Sequence, residues 1–195
     1  MARKALIVCA NPVAREAIRK ALAGRLSVDL AAEADSLRAG LHEARETQPE
    51  FAIVAQRLQD ASDIMALRDI RDAAPAAKVV VLTWYAVERD WLAALLAGAS
   101  ACLLMEVRML TALADVLERV AAGENLIAEE RGEHLARVTA ALASDASDFE
   151  RELLRRICQL ETDARIAEVT GVPIAGVKAG VEALARRFLP LTASR

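Results

Sequence analysis

The chain has 195 residues, of which 55% are apolar and only 3% aromatic, and its net charge is −3. Such a composition supplies a core of Ala, Leu, Val and Ile and favours alanine-rich helices, while the charge does not mark the whole chain as a nucleic-acid binder. No run of about 18 uncharged apolar residues occurs, which excludes a membrane-spanning helix.

Three scattered cysteines (Cys9, Cys102, Cys158) and two solitary histidines (His42, His134) offer neither a disulfide framework nor a metal-ligand cluster. The cysteines read as small buried hydrophobes in a reducing compartment. The apolar run after Met1-Ala2-Arg3-Lys4 breaks at Asn11-Pro12, with Arg15 and Glu16 close behind. It reads as the first strand of a cytoplasmic protein rather than as a signal peptide.

The first 122 residues alternate strand and helix patterns. Lys4–Cys9 is a continuous apolar run, as expected of a strand buried on both faces. Pro12 opens an amphipathic helix to Ala23, and Leu26–Ala31 reads as a second strand. Asp35-Ser36 caps a helix to Thr47, which Pro49 ends. Phe51–Ala55 is a third strand, Ile64–Ala74 a helix stopped by Pro75, and Lys78–Thr83 the strongest strand in the chain. Glu88–Leu96 is a helix closed by Gly98, Ala101–Leu104 a fifth strand, and Leu110–Ala121 a helix closed by Gly123. Five such units predict an α/β fold with a five-stranded parallel, doubly wound sheet. Function in such sheets sits at the carboxyl ends of the strands.

Beyond this, Glu129–Leu142 reads as a charged helix and Ala143–Ser147 as a linker. Asp148–Leu160 carries apolar residues at helical spacing. Thr162 caps a short helix to Val169, Gly171 ends it, and Pro173 begins a longer helix reaching Leu189. Two helices joined by a tight glycine-containing turn form a helix-turn-helix pattern, although a generic three-helix bundle fits the same periodicity. The expected division is 1–123, an α/β domain; 124–147, a linker helix and linker; and 148–195, a small all-α domain.

The segments KALIVCANPVAREAIRKAL, PEFAIVAQRL, KVVVLTWY and GASACLLMEV resemble the receiver domain of response regulators. ERELLRRICQLETDARIAEVTGVPIAGVKAGVEALARRF is similar to the LuxR-type DNA-binding domain, without a gap. The resemblance covers nearly the whole chain and implies a flavodoxin-like receiver followed by a helix-turn-helix output domain. It also implies a phosphorylation pocket, and there the sequence departs from the pattern. The two acidic residues that hold Mg²⁺ after the first strand correspond to Cys9 and Ala10. The phosphate-accepting aspartate corresponds to Ala55 and the conserved lysine to Met105, so that Thr83 alone matches. Mg²⁺ needs hard oxygen ligands, and phosphoryl transfer needs a nucleophile and charge neutralisation. The pocket therefore reads as degenerate, with no metal and no cofactor. Asp60, Asp63 and Glu106 lie near in sequence, but the loop after the third strand carries the first two away from the strand end. Two further features stand out here: Cys9 as a candidate redox thiol, and the aromatics Trp84, Tyr85 and Trp91 as either a cover for the pocket or interface anchors.

The candidate recognition helix begins Pro173-Ile174-Ala175-Gly176-Val177-Lys178, where the family shows polar or basic residues. Eight basic residues face seven acidic ones from Asp148 to Arg195, a weak footprint for a phosphate-binding surface. Arg165, Lys178, Arg186 and Arg187 are the DNA-binding candidates. The resemblance further implies a homodimer through the fourth helix, fifth strand and fifth helix, roughly Val87 to Ala121.

Two readings remain open. One is a phosphorylation-independent DNA-binding transcription regulator; the other is an interaction module whose helix-turn-helix has become a surface for a regulatory protein partner. No nucleophile–base pair or phosphate loop supports an enzyme. A positive stripe along Pro173–Arg187 favours DNA, and an apolar patch favours a partner.

Overall fold

Each of the five apolar runs forms a strand in one parallel sheet. The computed structural model describes residues 3–23, 28–56, 58, 63–84, 88–127 and 146–188. The strands are β1 (Arg3–Val8), β2 (Val28–Ala34), β3 (Phe51–Ala55), β4 (Lys78–Thr83) and β5 (Ala101–Leu104), in the order β2-β1-β3-β4-β5. That is the flavodoxin-like winding, in which strand order reverses between β1 and β3. The helices α1 (Pro12–Leu22), α2 (Leu37–Thr47), α3 (Asp63–Ala73), α4 (Glu88–Leu96) and α5 (Val107–Ala121) connect and follow the strands. Asn11 caps α1 by accepting from Val13 N and Ala14 N, and the Ser36 hydroxyl accepts from Ala39 N to cap α2.

Two elements differ from their sequence expectation by three residues at one end. β2 ends at Ala34, three residues beyond the apolar run that suggested it, pairing Glu33 with Ile7 and Ala34 with Val8. It is a sheet-edge strand, so it accommodates Asp29 and Glu33, whereas an unbroken apolar run marks the central strands. α5 begins at Val107, not Leu110, directly after the extended residue Glu106.

After these come α6 (Asp148–Cys158), α7 (Asp163–Thr170) and α8 (Ile174–Phe188). The expected helix Glu129–Leu142 and linker residues 143–145 lie outside the described residues. Ser147, read as the last linker residue, is the N-cap of α6 and forms a reciprocal capping box with Glu150. Thr162 caps α7 through Arg165 N, and Gly171 closes it in the left-handed conformation at φ 71°.

The apolar residues divide between the two faces of the sheet. One face packs α1 and α5 through Ile18, Leu22, Leu113 and Leu117. The other packs α2, α3 and α4, and its cluster continues without a break into Leu153, Leu154, Ile157, Ile166, Val177, Val181 and Leu184 of the last three helices. As a result, α4 lies between the sheet and the C-terminal helices, touching α6 and α8, with Leu92 to Ala97 all buried.

Candidate functional site

The strand register brings the former pocket positions together. Val8 pairs with Val54, Ala55 with Leu82 and Thr83 with Leu104, so Cys9, Ala55, Thr83 and Met105 meet at the carboxyl end of the sheet. Cys9 and Ala55 are buried, and Met105 packs against the same apolar cluster. At this end Arg15, partly buried, donates to the Cys9 carbonyl at 2.7 Å and pairs with Glu33 at 3.2 Å. Thr83, fully buried, donates its hydroxyl to the Asp90 carboxylate at 2.6 Å.

These residues do not fit Mg²⁺. Cys9 and Ala10 offer no carboxylate, the Cys9 carbonyl already accepts from a guanidinium, and no group of three His, Cys, Asp or Glu converges among the described residues. Ala55 has no nucleophilic atom, and Asp60 lies outside the described residues. Burial raises the Cys9 thiol above its ordinary value, against smaller opposing effects from its hydrogen bond to the Asn11 carbonyl and the Arg15 charge. A redox thiol needs the opposite shift, so the structure does not favour that candidate. Trp91 packs against the apolar cluster and Trp84 is 38% exposed, while Tyr85 lies outside the described residues.

The C-terminal helices present a different surface. α7, the turn at 171–173 and α8 form the helix-turn-helix, seated on α6. Gly180 allows this seating: a Cβ there would press on Leu153 and Phe149 of α6. Its lack of a side chain therefore serves close helix packing. The outward surface carries Ile174, 47% exposed, with Ala175, Ala179 and the exposed Val169 of α7. This is an apolar patch, the feature the sequence associated with a protein partner.

The four basic candidates do not form a stripe. Arg165 pairs with Glu168 at 2.6 Å, Arg186 with Glu182 at 3.8 Å, and Arg187 with Glu150 at 3.7 Å. With 3.6 residues per turn, Arg187 lies about half a turn around α8 from Lys178. Lys178 reaches α3, where its Nζ is 2.9 Å from Asp69 Oδ1 and 2.8 Å from Asp72 Oδ2. Partial burial works against its charge, but the hydrogen bonds to Asp72 and Asp69 outweigh it and hold the amine above its ordinary value.

Beside this contact lies a group that the sequence reading did not single out. Arg68 of α3 and Asp163 of α7, each 2% exposed, form an ion pair, and Arg68 also donates to the Leu96 carbonyl at 2.7 Å. Arg71 donates to the Leu160 carbonyl at 2.6 Å. It crosses Gly98, whose φ is +72° and where a Cβ would collide with the guanidinium. Burial, with the neighbouring Arg71 charge, pushes Arg68 down to about 10, so it stays charged at neutral pH. A pair of arginines three apart on the inner face of an amphipathic helix was the available signal.

No protein-family model matches the sequence. The chain is 27% identical over 171 residues to the DNA-binding transcriptional activator DevR/DosR of Mycobacterium tuberculosis, covering 85% of this chain and 78% of that protein. A crystal structure of a LuxR-family two-component response regulator from Aurantimonas matches at 26% identity. Its TM-score is 0.61, with 70% of this chain and 99% of that one covered. The chain is a homologue of the LuxR-family response regulators. RcsB of Salmonella enterica bound to a promoter aligns over 94% of this chain at TM-score 0.59, and at 18% identity that agreement bears on the fold alone. The relatives are transcription regulators, not enzymes, in line with the sequence reading. Among the described residues no helix is long and apolar enough to cross a membrane.

Proposed function

We propose that this regulator is a cytoplasmic, DNA-binding transcription regulator of the response-regulator type that works without phosphoryl transfer and acts on DNA as a dimer. In this reading residues 1–123 are a receiver-like domain, 124–147 a linker and 148–195 the output domain. The observation that carries it is the strand-end arrangement. An Arg15 guanidinium sits on the Cys9 carbonyl beside Ala55, in place of carboxylates, nucleophile and lysine. Similarity to the transcriptional activator DevR/DosR spans both halves and supports DNA as the target. The dimer is supported by the RcsB neighbour, solved as dimers on DNA. Of the three elements of the expected dimer face, α4 is covered here by α6 and α8, so pairing through it requires those helices to move.

DNA binding in this reading leans on phosphate contacts, because α8 offers few groups to base edges. Lys178→Ala is expected to cost roughly 1–3 kcal/mol of affinity if the lysine reads a base, and Arg187→Ala to weaken all sequences alike. Unchanged binding by both variants overturns this assignment. The exposed patch of Val169, Ile174, Ala175 and Ala179 favours a second reading, in which this surface takes a protein partner. That reading takes over if no DNA is retained.

A further inference from the structure

The outward face of α8 is apolar and acidic. Ala175, Ala179, Glu182 and Arg186 fall within about 60° of arc, at 3.6 residues per turn. All four are exposed, whereas Val177, Val181 and Leu184 on the opposite side are fully buried. Lys178, at the margin of this face, is turned to Asp69 and Asp72. Glu182 meets Arg186 only loosely, at 3.8 Å, so its carboxylate keeps acceptor capacity.

We propose that this face reads pyrimidine edges in the major groove: thymine methyls through Ala175 and Ala179, and a cytosine amino group through Glu182. The proposal rests on the DNA-binding reading above and names the sequence class that the helix selects. The second helix of a helix-turn-helix lies in the major groove with its N-terminal residues against base edges. There thymine offers a methyl group and cytosine an amino donor, whereas guanine offers two acceptors and adenine sets N7 beside its amino group. Before Arg186 this face carries no side-chain donor. Purine acceptors packed against alanine or a carboxylate therefore stay unpaired, which selects against them. Ala175 and Ala179 are about 6 Å apart along the helix axis, with Glu182 about 4.5 Å further on. That spacing fits two thymines about two steps of 3.4 Å apart, with a cytosine one or two steps beyond. Arg165 and Arg186, 58% and 76% exposed, supply cations for flanking phosphates. Their own ion pairs are exposed and weak enough to exchange.

The test starts from the full chain and a random-sequence duplex pool, selected at near-physiological salt. Enriched duplexes are remade with deoxyuridine for thymidine, which removes only the methyl, and both forms are titrated by fluorescence anisotropy. Each contacted methyl that is lost should weaken binding about fourfold, or about sixteenfold for two. Ala175→Ser combined with Ala179→Ser should bring that ratio close to one, which separates direct contact from a change in DNA shape. Glu182→Gln should lower the preference for cytosine about tenfold. All three positions are exposed, so the variants should melt with wild type. An enriched duplex that binds as tightly in its deoxyuridine form, or a ratio unchanged in the double-serine variant, overturns the methyl contacts and leaves the DNA reading in place. A cytosine preference unchanged in Glu182→Gln overturns the role of the carboxylate. Enrichment of no duplex overturns both readings and gives the face to a protein partner.

Discussion

Asp163→Ala is the sharpest perturbation of the docked arrangement. It leaves Arg68, 2% exposed, facing Ala in place of a carboxylate, with the Leu96 carbonyl as a remaining acceptor. Breaking a buried pair from one side costs about 3–5 kcal/mol, because the surviving charge stays desolvated. The retained bond to Leu96 places the expectation near the lower end, about 3 kcal/mol. For a chain of this size each kcal/mol moves the midpoint by about 2–4 °C, so Tm should fall by about 6–12 °C in a thermal melt followed by circular dichroism. Arg68→Met combined with Asp163→Leu removes both charges and should recover most of that loss, since apolar replacement of a whole buried pair is often neutral or stabilising. A Tm within a degree or so of wild type for Asp163→Ala, with no difference between single and double variants, refutes the reasoning.

Gly98→Ala should cost more than Gly123→Ala. Both glycines have positive φ, a strain of about 1–2 kcal/mol for another residue, but only the Gly98 substitution also displaces Arg71; paired urea melts read the difference. Ser147→Ala should destabilise by about 0.5–2 kcal/mol through loss of the α6 cap. Glu150 is held below its ordinary 4.5 chiefly by the Ser147 backbone and side-chain hydrogen bonds. Its contribution is therefore present above pH 4.5 and lost as the pH falls through the folded value. Ser147→Ala removes the side-chain bond but keeps the backbone N–H donor, so it should flatten that acid limb only in part in a pH series of melts. Acetyl phosphate with Mg²⁺ should add no phosphoryl group by intact mass. Ala55→Asp alone should not restore the reaction, because Cys9, Ala10 and Met105 still supply no metal ligands and no lysine.

The central strands Phe51–Ala55 and Lys78–Thr83 were legible to the residue because a strand buried on both faces is apolar throughout, and the edge strand Ala101–Leu104 because its four residues are all apolar. The edge strand β2 was read three residues short at its end because the exposed Glu33 breaks the apolar pattern there. The degenerate pocket was equally legible, since residue identity at strand ends is local information and the parallel register does the rest. The docking was not. Lys178 and Asp69 are 109 residues apart, and nothing within either helix declares the other as partner. In sequence Lys178 looked like a groove-facing lysine. Gly180 marks the close approach of α8 to α6, a packing that no local pattern announces. Arg68 and Arg71 carried a signal in their spacing on the inner face of α3, but charge counting by domain averages such residues away.

The most direct test of phosphorylation-independent DNA recognition is a selection from fragmented genomic DNA at near-physiological salt, run in parallel with and without acetyl phosphate and Mg²⁺. The expected result is one set of fragments enriched in both arms and bound with the same affinity in each. Enrichment confined to the phosphodonor arm, or no enrichment in either, contradicts it.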